Sequence, residues 1–284
     1  MTDADRRGPL RGLKIVEFAG LGPAPFCGML MSDLGADVIR IDRPGGHDLA
    51  DAGVPTHINF LGRGRRSVAF DLKKSDAIEA CLTLIEKADA LIEGYRPGVM
   101  ERLGLGPEIC LARNSRLAYG RMTGWGQTGP YAGRAGHDLN YIALSGAVHA
   151  IGPADKPTPP LNLVGDFGGG ALYLAFGLLA AIIHARETGE GQVIDCAMCD
   201  GAVSLMASIY ALQAAGRWHD ERAANTIDGG APFYNTYQCA DGAWIAVAAL
   251  ERKFYAVLIE KIGLADPDCR GLTDRARWPA LRRE

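Results

Sequence analysis

Apolar residues fall in short strand-like bursts separated by segments where they recur at helical spacing. Leu13-Lys-Ile-Val-Glu-Phe18 is β-rich, Gly20 to Pro25 is a turn, and Phe26 to Leu34 carries apolar residues at helical spacing. Gly35 ends that helix, and Asp37-Val-Ile-Arg-Ile-Asp42 reads as a second strand. Strand, helix and strand within about 30 residues mark a parallel α/β unit, because parallel neighbours need a crossover. Further strands are expected over Ser67–Leu72, Ala88–Ile92, Leu117–Arg121 and Gln192–Cys196. Helices are expected over Asp76–Lys87, His137–Ala150, Ala171–Arg186 and Ala202–Ala215. Gly124–Gly136, rich in glycine and proline, has the length of a functional loop.

The pattern changes near residue 220. Phe233–Gln238 and Trp244–Ala249 flank Asp241-Gly242, a hairpin turn signal, and Glu251–Ile262 is helical. The expected fold class is α/β: a Rossmann-like large domain over 1–220 and a smaller α+β domain over 221–284. Gly20-x-Gly22, with Asp42 closing the second strand, imitates a dinucleotide fingerprint. Pro25 stands where that motif has Gly or Ala, and proline lacks the N–H and blocks close helix–strand packing. The scaffold is therefore read without nicotinamide.

Composition narrows the classes. Of 284 residues, 48% are hydrophobic and 22% charged, ordinary usage for a globular chain. A net charge of −3 argues against a generally basic nucleic-acid binder. Seven scattered cysteines suit a reducing compartment better than a disulfide framework. Cys196-x-x-Cys199 lacks the second pair of a zinc site and reads as buried thiols. His47, His57, His149, His184 and His219 share no ligand spacing, so no metal is expected. Met1–Pro9 has no apolar signal core. The apolar run Ala171–Ile183 is shorter than the roughly 20 residues that cross a bilayer. The expectation is a cytoplasmic protein with no membrane or nucleic-acid partner.

Four groups of residues could carry chemistry. His137 follows the glycine-rich loop at a helix start, where imidazole could take and give a proton or merely lie beside a cap. Asp166 precedes Gly168-Gly169-Gly170; it could be an N-cap, or the glycine N–H groups could hold an oxyanion beside it. Glu251 could be a helix N-terminal glutamate or the partner of a histidine. Arg40, Arg43, Arg63, Arg65, Arg66, Lys73 and Arg96 lie near strand ends, where they could bind phosphates or form a solvated surface.

The sequence resembles the family III CoA-transferase superfamily. The likeness runs through Leu10–Phe18, Asp33–Pro44, Gly64–Lys73, Tyr95–Gly104, Met122–Gln127, Gly136-His-Asp138, Pro160–Asp166 and Gly189–Asp195, nearly the whole chain. It implies coenzyme A as the handle of the substrate, no separate cofactor, and an interlocked homodimer. Matching positions imply that Arg43, Phe70, Asp71, Leu72, Lys73, Gly136, Asp138, Leu139, Asn140 and Tyr141 contact CoA, with Arg40 and Arg96 as additions. The racemases of that superfamily imply His137 and Asp166 as acid and base and Glu251 as the partner of His137. They interconvert (2R)- and (2S)-2-methylacyl-CoA through an enolate, in fatty-acid and lipid metabolism. The transferases imply instead an aspartyl anhydride at Asp166, without need of His137. A non-catalytic acyl-CoA-binding subunit is a third expectation. Members of the superfamily are expected to continue past Asp274–Arg282, so the second domain is expected to be incomplete.

Overall fold

The computed structural model describes residues 7–45 and 59–283; His47 and His57 lie outside them. In chain order the strands are β1 (Lys14–Phe18), β2 (Asp37–Asp42), β3 (Arg66–Ala69), β4 (Ala90–Glu93), β5 (Ala118–Thr123), β6 (Gln192–Ala197), β7 (Tyr234–Gln238) and β8 (Trp244–Ala248). The helices are α1 (Pro23–Asp33), α2 (Ser75–Ile85), α3 (Val99–Arg102), α4 (Pro107–Arg113), α5 (Asp138–Leu144), α6 (Ala147–Ala150), α7 (Tyr173–Thr188), α8 (Met198–Leu205), α9 (Ala207–Ala214), α10 (Arg252–Ile262) and α11 (Trp278–Leu281).

Contacts divide the chain into two compact units: Met1–Ser145 with Leu161–Leu205, and Gly146–Pro160 with Met206–Glu284. The expected division at 220 thus shifts to Met206, where a turn separates α8 from α9. The helix expected over Ala202–Ala215 is these two, the first starting earlier at Met198. Likewise His137–Ala150 is not one helix. Gly146, at φ 77°, separates α5 from α6. Gly146–Pro160 joins the second unit because Arg222 donates to the carbonyls of Pro153, His149 and Ala154 at 3.0, 3.1 and 3.2 Å.

In the first unit a six-stranded parallel sheet runs in the order β3-β2-β1-β4-β5-β6. This is the order of doubly wound nucleotide-binding sheets, with the reversal between β1 and β4. Alternation along the strands splits the core. Ile15, Ile92 and Met122 face the α1 and α7 side, with Met31 and Leu178. Val16, Leu91 and Tyr119 face the α2 and α4 side, with Leu82 and Cys110. Burial on both faces explains why β4 and β5 read as continuous runs.

A π-helical stretch, Leu163–Leu172, leads directly into α7. The two make a 26-residue helix containing an 18-residue window of mean hydropathy 1.7. By length and composition it could cross a bilayer, contrary to the expectation drawn from Ala171–Ile183. Its residues Leu174, Leu178, Ala181 and Ile182 are buried in the sheet core. The π-helical stretch touches α8 backbone to backbone. A Cβ on Gly169 would meet Ala202 N at 2.7 Å, and one on Gly201 would collide with the Gly169 carbonyl.

In the second unit β7 and β8 pair antiparallel, Tyr234 opposite Ala248 and Gln238 opposite Trp244. Ala231, Phe233, Ala249, Tyr255 and Trp278 form its core. Buried Asp266 accepts from Tyr255 Oη at 2.8 Å and Gly271 N at 2.7 Å and pairs with Arg277, folding the tail back over α10.

Gly201→Ala should destabilise the protein by about 3 kcal/mol or more, since a rigid backbone must move to admit the methyl. Denaturant unfolding checks this; a loss below about 0.5 kcal/mol would show that the two helices can part freely.

Candidate active site

Beyond the carboxyl ends of β1, β4 and β5 lies a cleft of about 220 Å³. Ligands of open α/β sheets bind at this reversal of strand order. Its walls are the β1–α1 turn at Leu21 and Pro23, the segment Gly94–Pro97, Met122–Trp125, and the end of the glycine-rich loop up to His137. Tyr141 and Met198 complete it. Trp125 packs edge-on to Tyr141 at 4.6 Å, giving the cleft an aromatic side.

His137 is the N-cap of α5, with extended backbone at φ −134° and ψ 174°. Its N–H donates to Asn140 Oδ1 at 3.1 Å, so a short polar side chain fixes the turn that presents the imidazole. The residue is exposed and lines the cleft.

Asp166 is half-buried in the first turn of the π-helical stretch. Its N–H donates to Asp138 Oδ2 at 2.6 Å, and its Oδ2 lies 3.4 Å from Asn162 Nδ2. Burial pushes its carboxyl above the ordinary aspartate range; the Asn162 bond opposes this, the Asp138 charge adds to it and the His137 charge opposes it. Asp166 does not line the cleft itself but reaches the turn that does. Gly22 has φ +66°, and a Cβ there would meet Asp166 Oδ2 at 3.1 Å. The carboxyl thus stands at the N-terminus of α1, where a dinucleotide fold holds pyrophosphate. Pro23 and Pro25 also remove two N–H donors from that helix start.

The segment after β4 is held from beneath. Buried Glu93 accepts the Tyr95 N–H at 2.8 Å and Arg121 Nε at 3.0 Å. Arg121 in turn holds Glu101 at 2.8 and 3.2 Å. Burial pushes Glu93 up to about 7, against the bonds from Tyr95 and Arg121.

The structure redistributes the residues named from sequence. Gly136, His137, Tyr141 and Arg96 line the cleft. Asp138 is buried, and Leu139 and Asn140 are exposed on α5. Arg43 is exposed just past β2. Phe70 and Leu72 pack their side chains against the α2-side core, and Asp71 accepts the Lys73 N–H at 3.2 Å. Most of the basic set is committed to ion pairs. Arg40 is buried 3.0 Å from Asp42, and Arg65 is buried against Glu17. Arg63 and Arg66 each pair at 2.5 Å, with Asp33 and Asp37. Gly168–Gly170 do not open a helix either. The stretch begins at Leu163, Phe167 N–H already bonds Asn162, and the last two of these glycines are buried in helix contacts. Glu251 lies in the second unit as N-cap of α10, its exposed side chain making no cap bond. Sequence reading missed Leu21, Tyr95 and Trp125 as cleft residues, whose places just after β1, β4 and β5 were the available signal, and Arg134, which lies in the glycine-rich loop. Among the described residues no group of three or more His, Cys, Asp or Glu could hold a metal ion.

The chain matches the model of CoA-transferase family III over residues 10–283. It is 44% identical to alpha-methylacyl-CoA racemase of Mus musculus over 276 residues, 97% of this chain and 70% of that protein. It is 33% identical to the succinyl-CoA–L-malate CoA-transferase beta subunit of Chloroflexus aurantiacus over 264 residues, 90% of this chain and 65% of that protein. A crystal structure of a CaiB/BaiF family protein from Brucella suis superposes with a TM-score of 0.78 at 29% identity, covering 98% of this chain and 78% of that chain.

The raised carboxyl of Asp166 has a consequence for stability. Its contribution is full below the ordinary aspartate value of about 3.9 and is lost as pH rises through the raised value. Asp166→Asn should therefore melt above the wild type at about pH 8, with the gap closing toward about pH 4. Thermal melts across that range check it; a gap that widens on acidification would contradict the assigned direction.

Proposed function

The chain belongs to CoA-transferase family III, and from that premise we propose that it interconverts (2R)- and (2S)-2-methylacyl-CoA thioesters. The observation that carries this reading is an imidazole on the cleft wall and a half-buried carboxyl that reaches the β1–α1 turn of the same cleft. Inversion at a carbon needs a base on one face and an acid on the other. His137 takes the α-proton of one enantiomer while Asp166 delivers a proton to the opposite face, and the roles exchange in reverse. The 44% identity to the mouse racemase supports the same reading.

A transferase would use ionised Asp166 as a nucleophile on the thioester carbonyl. A transferase has no need of an imidazole at position 137, so the cleft-wall His137 favours proton transfer. Arg96 and Arg134, both exposed in the cleft wall, are our candidates for the CoA phosphates, with Arg43. Coenzyme A enters as part of the substrate, and the chemistry calls for no further cofactor. Glu251, whose carboxylate makes no cap bond to its own helix, is kept as the proposed partner of His137. Seven free thiols support a reducing, cytoplasmic setting.

A second copy of the chain is the proposed partner. Leu172, Phe176 and Ile183 are 51%, 73% and 59% exposed. At spacings of four and seven they share one helix face, and an apolar face of that kind marks an interaction surface.

Incubation of one 2-methylacyl-CoA enantiomer with the protein in heavy water should give α-deuterium and racemisation. His137→Ala and Asp166→Ala should each slow exchange on the order of 10²–10⁴-fold. CoA transfer to a free carboxylate without α-exchange would favour the transferase instead. Light scattering should give twice the chain mass; Phe176→Glu should move it toward the monomer, and an unchanged dimer would exclude that face.

A further inference from the structure

α5 begins one residue after His137, and that first residue, Asp138, is only 6% exposed. One of its carboxylate oxygens accepts the Asp166 N–H at 2.6 Å. The other is buried with no hydrogen-bond partner. A buried, half-satisfied carboxylate is costly, and α5 does not need it for capping, because His137 and Asn140 close that turn. The opposing backbone is shaped to receive it. A Cβ on Gly165 would meet Asp138 Oδ2 at 2.7 Å and Cγ at 2.9 Å. The position adjoining one proton-handling residue therefore holds the backbone of the other, 28 residues on.

We propose that Asp138 is a positioning residue, its carboxylate tying the Asp166 backbone to the helix start that carries His137 and so setting the spacing of the pair. This rests on the reading of His137 and Asp166 as the groups that move the α-proton. It gives the Asp138 side chain a role other than CoA contact, since that side chain is buried and turned to Gly165 and Asp166.

The tie has an electrostatic side. The Asp138 charge adds to burial in favouring protonated Asp166. The charged and titratable groups around the pair are His137 and Tyr141 at α5, Cys199 and Asp200 of α8, and Arg96 after β4. Changes at Asp138 alone leave all of these in place.

Two substitutions separate geometry from charge. Asp138→Asn keeps an oxygen that accepts the Asp166 N–H and removes the charge. Asp138→Ala removes both. In heavy-water exchange, Asp138→Ala should lower kcat on the order of 10²-fold, as loss of alignment does, with KM within about twofold of wild type. Asp138→Asn should recover to within about tenfold of the wild-type rate. It should also move the kcat/KM limb belonging to Asp166 to lower pH, because a neighbouring negative charge is gone. Carbon-13 NMR titration of the Asp166 carboxyl should show the same downward shift without reference to turnover.

Wild-type kcat in Asp138→Ala would overturn the proposal, as would a loss confined to KM, which would mean direct substrate contact. If Asp138→Ala does not fold, Asp138→Ser, which withdraws the carboxylate oxygen that accepts the Asp166 N–H, takes its place, and wild-type kcat in that variant rejects the proposal. A wild-type protein that exchanges no α-proton would reject the racemase reading instead, while the NMR titration still reports on Asp138.

Discussion

Residues 163–172 lie against α8 so closely that Gly169 and Gly201 have no room for a side chain. The position of Asp166 depends on that contact. A helix standing one side chain further off would lift the carboxyl away from the β1–α1 turn. The same stretch meets α1 on its other side, where Phe26 stacks on Phe167 at 4.2 Å. Asp166 is thus set between two packed helices and has little freedom to drift, as the proton transfer proposed for it requires. A π-helical backbone at this point fits the wider habit of such turns at functional positions.

The loops around the cleft are anchored by charges buried below them. Glu17, on the α1 side of the sheet, pairs with Arg65, which also donates to the Pro25 carbonyl at 3.1 Å in the first turn of α1. Glu93, on the opposite side, holds the Tyr95 N–H and Arg121. Burial drives both carboxyls up to about 7, and their arginine partners oppose that push. Breaking such a pair leaves an uncompensated charge in the interior, so these contacts resist loosening more firmly than surface pairs do. They lie under two of the segments that form the cleft walls.

The strand order belongs to dinucleotide-binding sheets, yet the phosphate position is taken by the protein itself. Asp166 approaches Gly22, and two prolines withdraw donors from the start of α1. A carboxyl group already sits where a cofactor's phosphates would be drawn. A common scaffold is thereby turned to another chemistry by three or four residues at the switch point, which is why the sheet alone does not decide function.

Much of this was legible in the order of residues. Alternating and helical spacing located the six parallel strands and the hairpin to within a few positions, because each strand's period reflects its own backbone. The loop ending at His137, the proline that spoils the nucleotide fingerprint and the matching motifs of a CoA-handling family were also readable. Sequence misjudged what depends on partners far along the chain. The arginines looked like phosphate ligands, but register places Arg66 of β3 beside Asp37 of β2, Arg63 and Arg65 meet Asp33 and Glu17, and Arg40 pairs with Asp42 on the same face of its own strand. Gly168–Gly170 looked like a helix start, but the helix begins five residues earlier and two of these glycines serve close packing. Asp138 was expected in the CoA-contacting segment, and its side chain is buried beneath Asp166. Periodicity is a local property, so the chain determines it alone; the partner of a charge and the reason for a glycine are set by what packs against them, and only the tertiary structure decides that.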